Sequence, residues 1–307
     1  MRPVRALRPS RPALGAPPVA VLVLCSGLLA GCLFADQTAA GRTLHNAPKV
    51  LGRALSVAVD VSFSSELVKP GFLSAVPAPD LGVRLSGVID LRTEHGFYVT
   101  SPSGKPAVIF YGTKLFARRP HAGPDDARPW VSVTADRRVT DAKFDPSSLP
   151  VSMAAFVLRP TLFIDALSGA LTGSIKRTGT ETVDGELLTK YTCRFDLYRS
   201  MENSTRVDYS QKRIDDIEKV YKVLGIDTYD LESGSVWVDG RGAPRRIQLA
   251  IKETPVPQSE ILLHVDMALT PSNDPVSVTA PGVNTVTTVP TLFQYLLPLK
   301  SISDGAP

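Results

Sequence analysis

Cysteine is scarce: three among 307 residues, at positions 25, 32 and 193. Cys25 lies in a stretch that reads as a secretion signal, and Cys32 at its processing point. That leaves Cys193 without a partner, so the mature chain is expected to hold no disulfide even in an oxidising compartment. Cys193 falls on the apolar side of an alternating segment, where a thiol acts as a small buried hydrophobe. Histidine is as sparse. His45, His95 and His121 fall in a tether and in turns, while His264 and Asp266 share one face of a strand with no third metal ligand in sight. The Gly-x-Ser-x-Gly elbow, the Walker loop, His-Glu-x-x-His and the dinucleotide glycine fingerprint are all missing. Nothing in the chain therefore points to an enzyme or a cofactor. No Ser/Gly-rich hinge divides it, and no apolar run reaches the ~20 residues of a membrane span.

What is there begins at the N-terminus. Arg2, Arg5, Arg8 and Arg11 precede the apolar stretch Val19–Leu29, which runs into Leu29-Ala30-Gly31-Cys32. A basic lead, a short apolar run and small residues before a cysteine make a lipoprotein signal, with Cys32 as the lipidation site. Residues 1–31 are the expected signal peptide and 32–47 a small, polar tether. Residues 48–299 form the expected domain, and 300–307 a tail. The signal also carries the charge excess. The whole chain has 34 Lys+Arg against 30 Asp+Glu, and the four signal arginines account for the difference. A neutral mature chain makes nucleic acid an unsuitable partner.

The segment 179–197 organises the rest. Tyr191, Cys193, Phe195 and Leu197 alternate with Lys190, Thr192, Arg194 and Asp196, the period of a half-buried strand. Asp184-Gly185 ahead of it is a hairpin turn. Alternation predicts further strands over 55–63, 82–91, 96–100, 107–111, 114–118, 130–133, 235–238, 245–252 and 261–269. Short connections make them an antiparallel meander of about ten strands. Helical spacing predicts helices over 161–171 and 213–224, and a short helix is expected at 48–56. The segment 66–81 reads as an apolar loop, and 287–299 as an apolar tail docked on the body. The fold class is α+β: a large, strongly curled antiparallel sheet with helices on one face.

Such a sheet cannot be filled by straight helices laid across it, so an apolar cavity is expected between them. Its helix wall would be Leu162, Phe163, Leu167 and Leu171. Its sheet wall would be Val57, Val59, Val61, Ile89, Phe195, Val238, Leu249, Val265 and Met267.

Several short motifs occur together. They are Leu29-Ala30-Gly31-Cys32, Trp130-Val131-Ser132-Val133, and Gly179-Thr180-Glu181-Thr182-Val183-Asp184-Gly185 with Tyr191. Leu224-Gly225-Ile226-Asp227, Val236-Trp237-Val238-Asp239 with Arg245-Arg246-Ile247, and 274–281 follow in order. In this combination the chain resembles the LppX/LprAFG family of actinobacterial lipoproteins, which have a LolA-like fold. The resemblance implies a half-barrel sheet with helices on its concave face, enclosing an apolar cavity. It also implies binding of acylated lipids or lipoglycans and their carriage between membrane layers. The protein would work at the outer face of the plasma membrane, acyl-anchored through Cys32, with an envelope transport protein as a further partner. The competing expectation is a non-transporting sensor or scaffold lipoprotein that holds a protein partner.

Overall fold

The structure is a computed structural model. It describes residues 39–69, 83–99, 106–111, 114–119, 126–134, 161–204, 206, 210–212, 214, 215, 218, 231–253 and 260–288. Cys32, the signal peptide and the tail after 288 lie outside these residues, as do 70–81 and most of 213–224.

Among the described residues, twelve strands form one open sheet. They are β1 (Ser56–Lys69), β2 (Val83–Asp90), β3 (Gly96–Val99), β4 (Pro106–Tyr111), β5 (Lys114–Arg118) and β6 (Trp130–Thr134), then β7 (Lys176–Val183), β8 (Glu186–Phe195), β9 (Leu231–Val238), β10 (Pro244–Glu253), β11 (Glu260–Ser272) and β12 (Val286–Thr288). Their lateral order is β12-β6-β5-β4-β3-β2-β1-β11-β10-β9-β8-β7. The large antiparallel sheet expected from alternation is present, and β12 is the strand that alternation did not predict. The meander is broken in the middle, where β1 lies beside β11, and at one edge, where β12 runs parallel to β6.

Local chemistry sets the turns. Asp184 and Gly185 both take positive φ, 49° and 81°, which is the twist-matched two-residue hairpin between β7 and β8. Between β9 and β10, the Asp239 carboxylate accepts from the backbone N–H of Arg241 and Ala243, both at 2.9 Å. Between β2 and β3, Asp90 accepts from Arg92 N–H at 2.8 Å while Glu94 turns the chain at φ 59°.

Residues 39–47 are not a tether. They belong to a helix, α1 (39–51), which also replaces the short helix expected at 48–56. Ala40, Leu44, Ala47 and Leu51 recur every three or four residues and are all buried in the core. Burial of that stripe outweighs the small, polar composition that suggested a flexible lead. The packed core therefore includes residues before 48, the expected start of the domain.

The supposed loop at 66–81 is strand at its start, since Glu66–Lys69 continue β1 and pair with β11 as far as Glu260. The helix expected over 161–171 is shorter. It is α-helical only as α2 (Thr161–Asp165), then tightens to a 3₁₀ turn at Ala166–Gly169, and Ala170 bridges to Phe195. Gly169 explains the break. A Cβ there would stand 2.1 Å from Ser200 Oγ and 2.2 Å from the Asp196 carbonyl oxygen, on the neighbouring helix α3 (Leu197–Glu202). Tertiary contact, not helical period, decides where this segment ends. Leu197 opens α3 and does not continue β8, because Asp196 caps α3 by accepting from Arg199 N–H at 2.9 Å.

Candidate functional site

The sheet has two chemically distinct faces. On the inner face, register brings apolar side chains into transverse rows. Phe63, Val265 and Leu249 lie side by side, as do Val61, Met267, Ile247, Val236 and Tyr191. Val57 pairs with Ile89 on the other flank of β1. These residues belong to one continuous buried cluster with the stripe of α1, with Phe163, Ile164 and Leu167, and with Met201 of α3. The described helices thus pack on a single face of the sheet, as an α+β fold with segregated helices requires.

The structure brings together Val57, Val59, Val61, Ile89, Phe163, Leu167, Phe195, Val238, Leu249, Val265 and Met267, every one buried. Leu171 is half-buried, just past the 3₁₀ turn. The side chain of Leu162 lies outside the described ones. Tyr191, Cys193 and Phe195 face inward and Arg194 outward, as the alternation predicts. Gly234 interrupts the wall, and the Phe195 ring fills the gap, 2.3 Å from where a Cβ would stand.

The inner face is also electrostatically quiet. Burial pushes the Cys193 thiol up to about 12, so it holds no thiolate near neutral pH. Burial likewise pushes the Tyr98 phenol above its usual range. The exception lies at the helix side, where sequence reasoning found nothing. Arg206 donates to both carboxylate oxygens of Asp165 and, at 2.9 Å, to Glu94 Oε1. The three come from separate segments, and no spacing rule signals such a triad. A second missed contact is His45, whose Nε2 stands 2.7 Å from the Ala170 carbonyl oxygen and ties α1 to the end of the 3₁₀ turn.

The outer face is polar. Trp237 Nε1 donates to Glu181 Oε2 at 2.7 Å, with Lys190 Nζ 4.6 Å from the ring centroid. Hydrogen bonds from Trp237 and Lys190 hold the Glu181 carboxyl below the usual carboxylate range. Arg246 grips Asp266, with Nε 2.8 Å from Oδ1. Burial alone would raise the Asp266 pKa, but Arg246 and Gln248 outweigh it and hold the carboxyl low. Among the described residues no group of three or more His, Cys, Asp or Glu could hold a metal ion. No described helix is long and apolar enough to cross a membrane.

Two solved structures align with most of the chain. Lipoprotein LppX of Mycobacterium tuberculosis is 16% identical with a TM-score of 0.39, over 79% of this chain and 99% of that one. LprF of Mycobacterium bovis is 13% identical with a TM-score of 0.37, over 80% and 97%. Both are LppX/LprAFG lipoproteins. The MucA/MucB complex of Pseudomonas aeruginosa aligns more weakly, at 12% identity and a TM-score of 0.24, over 74% of this chain and 56% of that one. No protein-family model matches the chain, and no curated protein does.

Proposed function

We propose that this protein is a cell-envelope lipoprotein, anchored through an acylated Cys32, that binds acylated lipid or lipoglycan against the inner face of its sheet and carries it between membrane layers. The observation that carries this reading is the continuity of the apolar wall. Inward residues from β1, β2, β8, β9, β10 and β11 share one cluster with α1, α2 and α3. At ~4.8 Å per strand, a twelve-strand sheet would be roughly 50 Å wide if flat, against about 10 Å for one helix. A sheet of that width must curl, and an apolar wall of this extent suits acyl chains. Each buried CH2 contributes ~0.8 kcal/mol with no specific polar contact. That accounts for a site with no catalytic or ligand motif.

The wall residues Val57, Val59, Val61, Ile89, Phe163, Leu167, Phe195, Val238, Leu249, Val265 and Met267, together with Leu162 and Leu171, are proposed to contact the acyl chains. Chemistry beyond binding is not part of the proposed role. The test is native mass spectrometry of the protein purified from its own cells. Lipid should co-purify, and Val238→Trp or Leu249→Trp should lower occupancy while the fold and the Cys32 anchor persist. Unchanged occupancy in folded variants would overturn lipid carriage and favour a scaffold that holds a protein partner.

A further inference from the structure

The outer face of the central strands carries a trough of about 420 Å3, within the range of small-molecule sites, roughly 300–1,000 Å3. It is made by side-chain length. Two transverse rows cross β1, β11, β10 and β9. One is Ser62, Asp266, Gln248 and Ser235, matched in register. The next is Ser64, His264 and Ala250, closed by Ser233. The row beyond carries the long side chains of Arg246 and Trp237. Short residues between long ones leave a depression on an otherwise continuous strand surface.

From this we infer that the trough is a saccharide-binding site, separate from the inner wall and independent of lipid binding. The chemistry of its lining selects the ligand. Each serine offers one donor and two acceptor positions. Among the described residues the hydroxyls of Ser62, Ser64, Ser233 and Ser235 make no hydrogen bond to the protein. Gln248 donates to Asp266 Oδ2 at 2.8 Å, which leaves its own carbonyl oxygen directed by that bond. Charge is compensated locally, because Asp266, the one carboxylate in the lining, is held by Arg246. A site of mixed donors and acceptors without net charge fits a neutral polyhydroxylated ligand.

Other classes fit less well. A nucleic acid or an anionic headgroup needs free cations, and the two arginines beside the trough, Arg246 and Arg84, both act on the Asp266 carboxylate. An acyl chain gains nothing against serines. A protein partner would look for exposed aromatic anchors, and Trp237 at the rim is only 2% exposed, while Arg246 is already engaged by Asp266.

Cellobiose, mannobiose and di-N-acetylchitobiose are the probes, each titrated to about 20 mM into the isotope-labelled mature chain and followed by amide NMR; weak saccharide sites saturate in this range. At least one should shift the amides of Ser62, Ser64, Ser235, Gln248 and His264. Ser64→Arg with Ser235→Arg, both at the trough and neither in the core, should weaken that binding at least tenfold. Ser235→Ala, which leaves the backbone undisturbed, should weaken it about threefold, a loss within the range of one hydrogen bond. Lipid occupancy should not change in either variant, which separates failure here from failure of the lipid reading. Absence of shifts at these amides with all three disaccharides, or binding unaffected by the double arginine variant, would overturn the inference.

Discussion

The guanidinium of Arg206 holds Asp165 by a two-point fork, Nε to Oδ1 at 2.9 Å and Nη2 to Oδ2 at 2.6 Å, with side chains 3% and 0% exposed. The same arginine reaches Glu94 and packs its Cγ close to Gly52 at the end of α1. One side chain therefore fastens α1, α2 and the β2–β3 turn. Removing one partner of a buried pair leaves an uncompensated charge, which costs about 3–5 kcal/mol. Arg206→Ala should lower the unfolding free energy by that amount, read from the denaturant midpoint and slope. Arg206→Met with Asp165→Leu should recover a large part, since apolar replacement of both partners is often neutral. Equal loss in both variants would show that the segments are fastened by something else.

Leu44 is fully buried in the stripe of α1. Truncation of a buried leucine costs about 2–5 kcal/mol. Leu44→Ala should destabilise the domain in urea by that much, whereas a residue in a free tether would show no effect.

Gly169→Ala pushes a methyl group into Ser200 and the Asp196 carbonyl on α3. Overpacking of this kind costs about 1–3 kcal/mol. The loss should appear in the denaturation midpoint, and Ser200→Gly should relieve part of it in the double variant by removing the clashing hydroxyl.

The Glu181 carboxyl is held low by Trp237 and Lys190. A depressed folded-state pKa contributes stability that is present above the ordinary glutamate value and lost as pH falls through the lowered one. Glu181→Gln should flatten the acid limb of the stability profile. It should also abolish an acid-induced change in the emission of Trp237, one of two tryptophans in the chain.

Cys193 is 3% exposed with its thiol pushed up to about 12. Iodoacetamide at pH 8 should leave it unmodified in the folded protein and label it in denaturant. Fast labelling of the native state would mean that the inner face opens to water.

The strands were legible because each central one buries a single face, so Tyr191, Cys193 and Phe195 must alternate with polar neighbours. Asp184-Gly185 was legible because few residue pairs accept two positive φ angles in a row. The helical pieces were harder to read. Ala40, Leu44, Ala47 and Leu51 do carry helical spacing, but Gly41, Thr43, Asn46 and Pro48 among them weaken local propensity, and packing on the sheet decides the outcome. Over 161–171 the local period was right and the neighbour at Gly169 overrode it. The outward trough escaped detection because serines on a polar face read as ordinary solvated surface. Only register shows that they lie beside one another.

The position of β1 has a consequence for biogenesis. This first strand sits in the middle of the sheet, and its ladder with β11 joins Ser56 to Ser272. Pairings so distant along the chain form slowly, since a long loop must close before any contact rewards it. A polypeptide threaded through a membrane from its N-terminus would deliver β1 early and its partner late. Until β11 emerges, one hydrogen-bonding edge of β1 and its apolar row Val57, Val59, Val61 and Phe63 have no strand beside them. The centre of the sheet is thus completed late, and a chain stalled before residue 260 would present an unpaired strand edge prone to aggregation.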